Sequence, residues 1–257
     1  MMIRYIPADP AGNLTAIVLS PVAAQDRAKI AAEMMARCPE GFEQVGFADE
    51  TSLTGDLPTL CMMGGEFCGN ATRAFACYAA KVRGRGETRL AISVSGAREP
   101  VPVAVDLRQN RAYAQMPLPY ALEWISVNKQ KIPLVRMEGI DHALLLDAAP
   151  SPEAAERVLA AMPKQDARGV LFVQGGKMTP LVEVAATGTR VWESSCGSGT
   201  VALAWYLAQN LADGMHAFAF DEPGGRLEAR VAMRAERAAQ IEMGGAVKLG
   251  KEAEIEL

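Results

Sequence analysis

The chain has 257 residues, half of them apolar and 22% charged, with a net charge of −4. That length suffices for one large or two smaller cores, and the sequence has none of the basic blocks that binding nucleic acid requires. No apolar run reaches the roughly 18 residues of a membrane span, Met1-Met2-Ile3-Arg4 opens no secretory signal, and five cysteines at irregular spacing form no disulfide framework, so the composition reads as a cytoplasmic protein with reduced thiols.

In chain order, a short β-rich run over Thr15–Leu19 follows the turn residues Ala11-Gly12-Asn13, and Pro21 opens an amphipathic helix predicted near Ala23–Ala36. The glycine-rich stretch Gly64-Gly65-Glu66-Phe67-Cys68-Gly69 then feeds a helix built from small residues. Strands are predicted over Arg89–Val94 and Val101–Leu107, and the paired prolines of Gln115-Met116-Pro117-Leu118-Pro119 mark the best inter-domain boundary. Beyond it the order returns: a strand at Ala143–Leu146, a helix over Glu153–Met162 opened by Ser151-Pro152, strands at Val170–Val173 and Leu181–Ala185, a second Cys-Gly helix start at Cys196-Gly197, and a strand at Leu227–Met233.

The return is a duplication. Cys68–Ala80 aligns without gaps to Cys196–Ala208 with seven of thirteen positions identical, at an offset of 128 residues, half the chain. The same offset carries Gly96 onto Gly224, Arg98 onto Arg226 and Asn13–Leu19 onto Asp141–Asp147. Three co-linear regions at one offset imply two similar α/β halves, with a cleft between them as the expected place for a site.

A thiol at a helix N-terminus sits beside unpaired backbone N–H groups and the positive end of the helix dipole, which lower its pKa and attract anions. Two such starts converging on one carboxylate would leave a thiol on either side of an amino-acid Cα. One sulfur could then take the Cα proton as thiolate while the other delivers a proton to the opposite face, as inversion demands. The duplicated context singles out Cys68 and Cys196; Cys38, Cys61 and Cys77 read as small buried hydrophobes. With no Cys-x-x-Cys pair, only His142 and His216 as histidines, no phosphate loop and no lysine in a pyridoxal-phosphate context, neither a metal nor any other cofactor is expected.

These motifs, with Ala11-Gly12-Asn13, Cys-Gly-Asn at 68–70, Cys-Gly-Ser-Gly-Thr at 196–200 and Pro-Gly-Gly at 223–225, resemble the diaminopimelate-epimerase-like superfamily over nearly the whole chain. Glu43-Gln44-Val45-Gly46-Phe47, Glu66-Phe67-Cys68, Gln115-Met116-Pro117 and Trp192-Glu193 before Ser195-Cys196 are most similar to the histidine racemases of staphylopine-type metallophore pathways. The resemblance implies an α/β fold of two pseudo-symmetric domains, each a sheet wrapped around a central helix. Residues 1–118 would form the first, with 247–257 returning to it, and 119–246 the second. It implies a cofactor-independent racemase with Cys68 and Cys196 as catalytic pair. Asn13, Glu43, Gln44 and Asn70 would line the cleft, and the N–H groups of Gly69, Asn70, Gly197 and Ser198 would hold the carboxylate. The partner is a small amino acid, without nucleic acid or membrane, and a homodimer is the candidate assembly.

Three departures weigh against diaminopimelate as substrate. Trp192-Glu193-Ser194-Ser195 replaces the arginine-bearing segment before the second cysteine, Ile140-Asp141-His142 replaces an Asn-Pro-His motif, and Gly169 stands where that family has an asparagine. Histidine is therefore expected, with another basic amino acid or diaminopimelate as alternatives. A phenazine-type isomerase, or a redox protein with a Cys68–Cys196 disulfide, are the readings from other classes. His142 reads as a core histidine that supports the site from behind, and Arg73 as a helix residue pointing away into a structural ion pair.

Overall fold

The computed structural model describes residues 1–185 and 188–257. These form two compact units, Met1–Gln115 with Gly244–Leu257, and Met116–Met243. Among the described residues both are mainly strand, each with two α-helices.

The first unit contains β1 (Met2–Asp9), β2 (Thr15–Val18), α1 (Arg27–Arg37), β3 (Gln44–Ala48), β4 (Thr59–Met62), α2 (Gly69–Val82), β5 (Glu87–Val94), β6 (Val101–Asp106) and β7 (Arg111–Gln115). β1 runs antiparallel to β2, β2 parallel to β3, and β4 parallel to β5, with antiparallel pairings elsewhere. The sheet curls around α2, whose residues from Gly69 to Ala80 are all buried. A helix covered on every side buries apolar residues all round, here with Asn70, Thr72 and Arg73 as buried polar exceptions, and its alanines let β5, β6 and β7 approach closely. α1 packs on β3 with a separate core around Ile30, Met34 and Phe47. It begins later than the sequence predicts because Ala24–Asp26 close a tighter 3₁₀ turn first.

The second unit continues with β8 (Ala121–Val127), β9 (Gln130–Arg136), β10 (Ile140–Leu146), α3 (Pro152–Ala161), β11 (Ala167–Gln174), β12 (Lys177–Val184), β13 (Thr189–Trp192), α4 (Gly197–Ala208), β14 (Gly214–Glu222), β15 (Gly225–Arg234) and β16 (Arg237–Ala246), whose residues from Gly244 on belong to the first unit. β10 and β11 are parallel, aligning His142 with Gly169, and β14 with β15 forms an antiparallel hairpin. α4 packs against β10, β14 and β15. α3 is capped by the Ser151 hydroxyl, which accepts from the Ala154 N–H at 3.2 Å, with Pro152 opening its first turn. The last strands, β17 (Lys248–Leu249) and β18 (Ala253–Glu256), both pair with β1.

α2 and α4 start 128 residues apart, at Gly69 and Gly197, each with a cysteine as N-cap in extended conformation. Gly96 and Gly224, a pair at the same offset, both touch the backbone leading into these cysteines. A Cβ on Gly96 would lie 2.2 Å from the Phe67 nitrogen, and the Gly224 N–H donates to the Ser194 carbonyl at 2.7 Å. Among the described residues no helix is long and apolar enough to cross a membrane.

Candidate active site

In the first unit the chain leaves β1 through a turn in which Ala11 and Gly12 take positive φ (66° and 97°) and the Gly12 N–H donates to Asp9 Oδ1 at 2.6 Å. That turn sets Asn13 at the mouth of β2. The parallel register of Thr15 with Gln44 brings the starts of β2 and β3 side by side. Asn13, Glu43, Gln44, Cys68 and Asn70 consequently meet in one hydrogen-bonded network.

Its polarity is settled from both ends. A carboxylate only accepts, so Asn13 turns Nδ2 toward Glu43 Oε2 at 2.8 Å. A guanidinium only donates, so Asn70 turns Oδ1 toward Arg73 at 2.8 Å. Asn13 Oδ1 is left to accept from Gln44 Nε2 at 2.6 Å and from Asn70 Nδ2 at 3.2 Å, while Gln44 Nε2 also donates to Thr15 Oγ1 at 2.7 Å. Only Oε1 of Gln44 then faces Cys68, and Sγ donates to it at 3.1 Å. In this arrangement Cys68 is a thiol. Gln44 is buried, and its amide bonds Asn13, Thr15 and Cys68.

Arg73 departs from expectation. It is fully buried, and besides Asn70 it bonds the carbonyls of Pro10 (3.2 Å), Gly245 (3.3 Å) and Ala112 (3.5 Å). Backbone carbonyls from three segments converge on its guanidinium. Position on a helix shows only that Arg73 follows Cys68 by a turn and a half; the carbonyls that hold it come from far along the chain.

In the second unit Cys196 caps α4, and Glu222 at the end of β14 clasps the same helix start. Its carboxylate accepts from the Cys196 N–H at 2.6 Å and from Thr200 Oγ1 at 2.6 Å, at only 7% exposure. Sequence reasoning passed over Glu222. The available signal was an acidic residue directly before Pro223-Gly224-Gly225 in a segment that must approach a helix start. The Cys196 sulfur lies 3.5 Å from Ser198 Oγ, which lies 2.9 Å from His142 Nε2.

Both thiols are pushed up from their ordinary value rather than lowered. For Cys68 burial outweighs the Ala71 and Asn70 N–H groups and the Gln44 side chain, which pull down, while Glu66 adds a smaller upward push. For Cys196 burial is again first, followed by the charges of Glu193 and Glu222, against a lowering contact from Ser198. The lowering by helix-start N–H groups is present at Cys68 but loses to desolvation, and at Cys196 the lowering contact comes from the Ser198 side chain, because both sulfurs are buried. Burial also raises the Cys77 thiol, to about 12. What distinguishes Cys68 and Cys196 is a place at a helix start with a polar side chain against the sulfur, Gln44 for the first and Ser198 for the second.

The family model described as the histidine racemase CntK N-terminal domain matches residues 2–255. A histidine racemase of Fusobacterium nucleatum subsp. nucleatum is 31% identical over 221 residues, covering 80% of this chain and 81% of the relative. Among solved structures, a phenazine biosynthesis PhzF family protein of Enterococcus faecalis superposes with a TM-score of 0.68 at 16% identity, covering 100% of both chains. A hydroxyproline epimerase of Agrobacterium vitis with bound trans-4-hydroxy-L-proline does so with 0.65 at 13% identity, over 99% of this chain and 92% of that one. The two structures share the fold of paired sheet domains.

Proposed function

This chain belongs to the histidine racemase CntK N-terminal domain family, and on that premise we propose that it is a cofactor-independent racemase acting on histidine, with Cys68 and Cys196 as its two acid–base groups. The observation that carries the reading is the pair of cysteine-capped helix starts, at Gly69 and Gly197, within the stretch matched by the family.

Inversion at Cα needs a base on one face and an acid on the other. Cys68, a thiol bonded to Gln44, is the acid for one enantiomer; Cys196 as thiolate is the base. The thiolate takes the Cα proton, the electron pair moves into the carboxylate, and the Cys68 S–H returns a proton to the opposite face. Cys196 is left as thiol and Cys68 as thiolate, the state that accepts the other enantiomer. First-turn N–H groups of Gly69, Asn70, Gly197 and Ser198 stabilise the charge that develops on the carboxylate. Glu43, steadied by Asn13, accepts a hydrogen bond from the imidazole N–H of the substrate. The reading carries with it a cytoplasmic location, where reducing conditions keep both thiols free, and a homodimer as the assembly to look for by light scattering.

The test is proton exchange in D2O with L- and D-histidine, read as Cα deuterium by mass spectrometry. Cys68→Ser and Cys196→Ser should each abolish net racemisation in both directions, with activity of the parent protein unaffected by EDTA or hydroxylamine. Two-way racemisation surviving in either variant would overturn the two-thiol mechanism. Turnover of histidine unchanged in Glu43→Gln, or surpassed by that of diaminopimelate, would overturn the substrate.

A further inference from the structure

His142 is fully buried on β10, and among the described residues only one of its ring nitrogens has a partner. Nε2 meets Ser198 Oγ at 2.9 Å, whereas Nδ1 has no hydrogen-bond partner among the described residues. The register of β10 with β11 explains why Nδ1 is bare. It faces Gly169, where even a Cβ would come within 2.1 Å of it, so the ring occupies the space a side chain would need.

This decides where the imidazole proton sits. A buried N–H without an acceptor is rarer and costlier than a buried acceptor left unused. Burial also keeps the ring neutral, pushing its pKa down to about 3, so it carries a single proton. That proton belongs on Nε2, and Ser198 Oγ must accept it. Having accepted from His142, the hydroxyl has its own hydrogen to give, and the sulfur of Cys196 lies 3.5 Å away.

We propose that His142, protonated on Nε2, is a positioning residue that locks the Ser198 hydroxyl as a hydrogen-bond donor to Cys196 Sγ. The inference rests on the reading of Cys196 as an acid–base group. It adds the device that lets a buried sulfur carry charge next to two carboxylates: Glu193, by its charge and as acceptor of the S–H, and Glu222, by its charge, oppose the thiolate, and Ser198 is the donor turned toward it. On β10 the neighbouring Asp141 is already paired with Arg136 at 2.9 Å. No proton moves along the relay; the ring sets only the direction of the hydroxyl.

The test reads the thiol itself, not turnover. The rate of iodoacetamide alkylation of Cys196 is followed against pH by peptide mass spectrometry in the full chain, with Cys68 monitored in the same samples. His142→Leu and Ser198→Ala should each move the Cys196 profile to higher pH and slow alkylation at a fixed pH by about tenfold, the effect of one pKa unit. His142→Gln, whose amide can donate from nearly the same point, should keep most of the parent rate, and the Cys68 profile should stay in place throughout. An unmoved Cys196 profile in Ser198→Ala, equal shifts in His142→Gln and His142→Leu, or an equal shift at Cys68 would each overturn the proposal. If His142→Leu does not fold, Ser198→Ala and His142→Gln decide. Since alkylation needs no substrate, the relay can fail while Cys196→Ser still proves the racemase, and the reverse.

Discussion

Replacing Glu222 separates the two things its carboxylate does at the start of α4. It binds the Cys196 N–H and the Thr200 hydroxyl at 2.6 Å each, and its charge raises the Cys196 thiol. Glu222→Ala removes both acceptors. Thr200 can recover by turning its hydroxyl to the carbonyl four residues back, as Thr72 does toward Cys68 at 2.7 Å in the first unit. The Cys196 N–H has no such alternative, and a buried hydrogen bond to a charged group contributes about 1.5–3 kcal/mol. With the small cavity added, we expect a loss of about 2–4 kcal/mol, or roughly 5–15 °C in Tm by calorimetry. Glu222→Gln keeps the shape: Oε1 still accepts from Cys196 and the amide nitrogen can donate to Thr200, so stability should fall by only about 1 kcal/mol. Its effect on the thiol has the opposite sense. Removing a negative charge lowers the thiol pKa, more thiolate is present at a given pH, and iodoacetamide should label Cys196 faster. One pKa unit is a tenfold change in thiolate at a fixed pH, so an acceleration of about tenfold is expected at pH 7.5. Labelling that is unchanged or slower in Glu222→Gln, or equal stability of the two variants, would refute the division of roles.

Two further outcomes follow from His142. Because burial holds its pKa near 3, below the ordinary 6.5, the unfolded chain binds a proton that the folded one refuses. The contribution is complete above about pH 6.5 and is lost at up to about 1.4 kcal/mol per pH unit as pH falls toward 3. Urea melts of His142→Gln between pH 3.5 and 7 should show a shallower acid limb than the parent, and parallel limbs would count against a buried neutral ring. At Gly169, a Cβ 2.1 Å from Nδ1 has nowhere to go, so Gly169→Ala should cost about 1–3 kcal/mol. A His142→Ser/Gly169→Ala double variant should recover part of that loss, whereas strictly additive losses would show that the two residues do not compete for the same space.

Much of this molecule was legible along the chain, because the relevant signals are local and repeated. Period and composition marked the strands at Thr15–Val18 and Val101–Asp106 and the helix after Ser151-Pro152. The gapless repeat at 128 residues located both cysteine-capped helix starts, since a glycine-flanked turn into an alanine-rich helix is written in adjacent residues. Motif strings spanning both halves pointed to the racemase family that the match over residues 2–255 bears out. Several strands left no such trace. β13 is exposed throughout, and β17 has two residues, so neither alternation nor an apolar run could announce them.

Tertiary structure alone decided which partner each polar side chain takes. Arg73 on α2 could as well have faced solvent, and only packing showed its guanidinium bonded to carbonyls from Pro10, Ala112 and Gly245. Gln44 lies 24 residues from Cys68, Glu222 lies 26 from Cys196, and His142 lies 56 from Ser198. Sequence periodicity reports how deeply a residue is buried, because burial is a property of the element it belongs to. The direction of a hydrogen bond is a property of two residues at once. At this site it is set by groups that can only donate or only accept, and folding brings them together from distant parts of the chain.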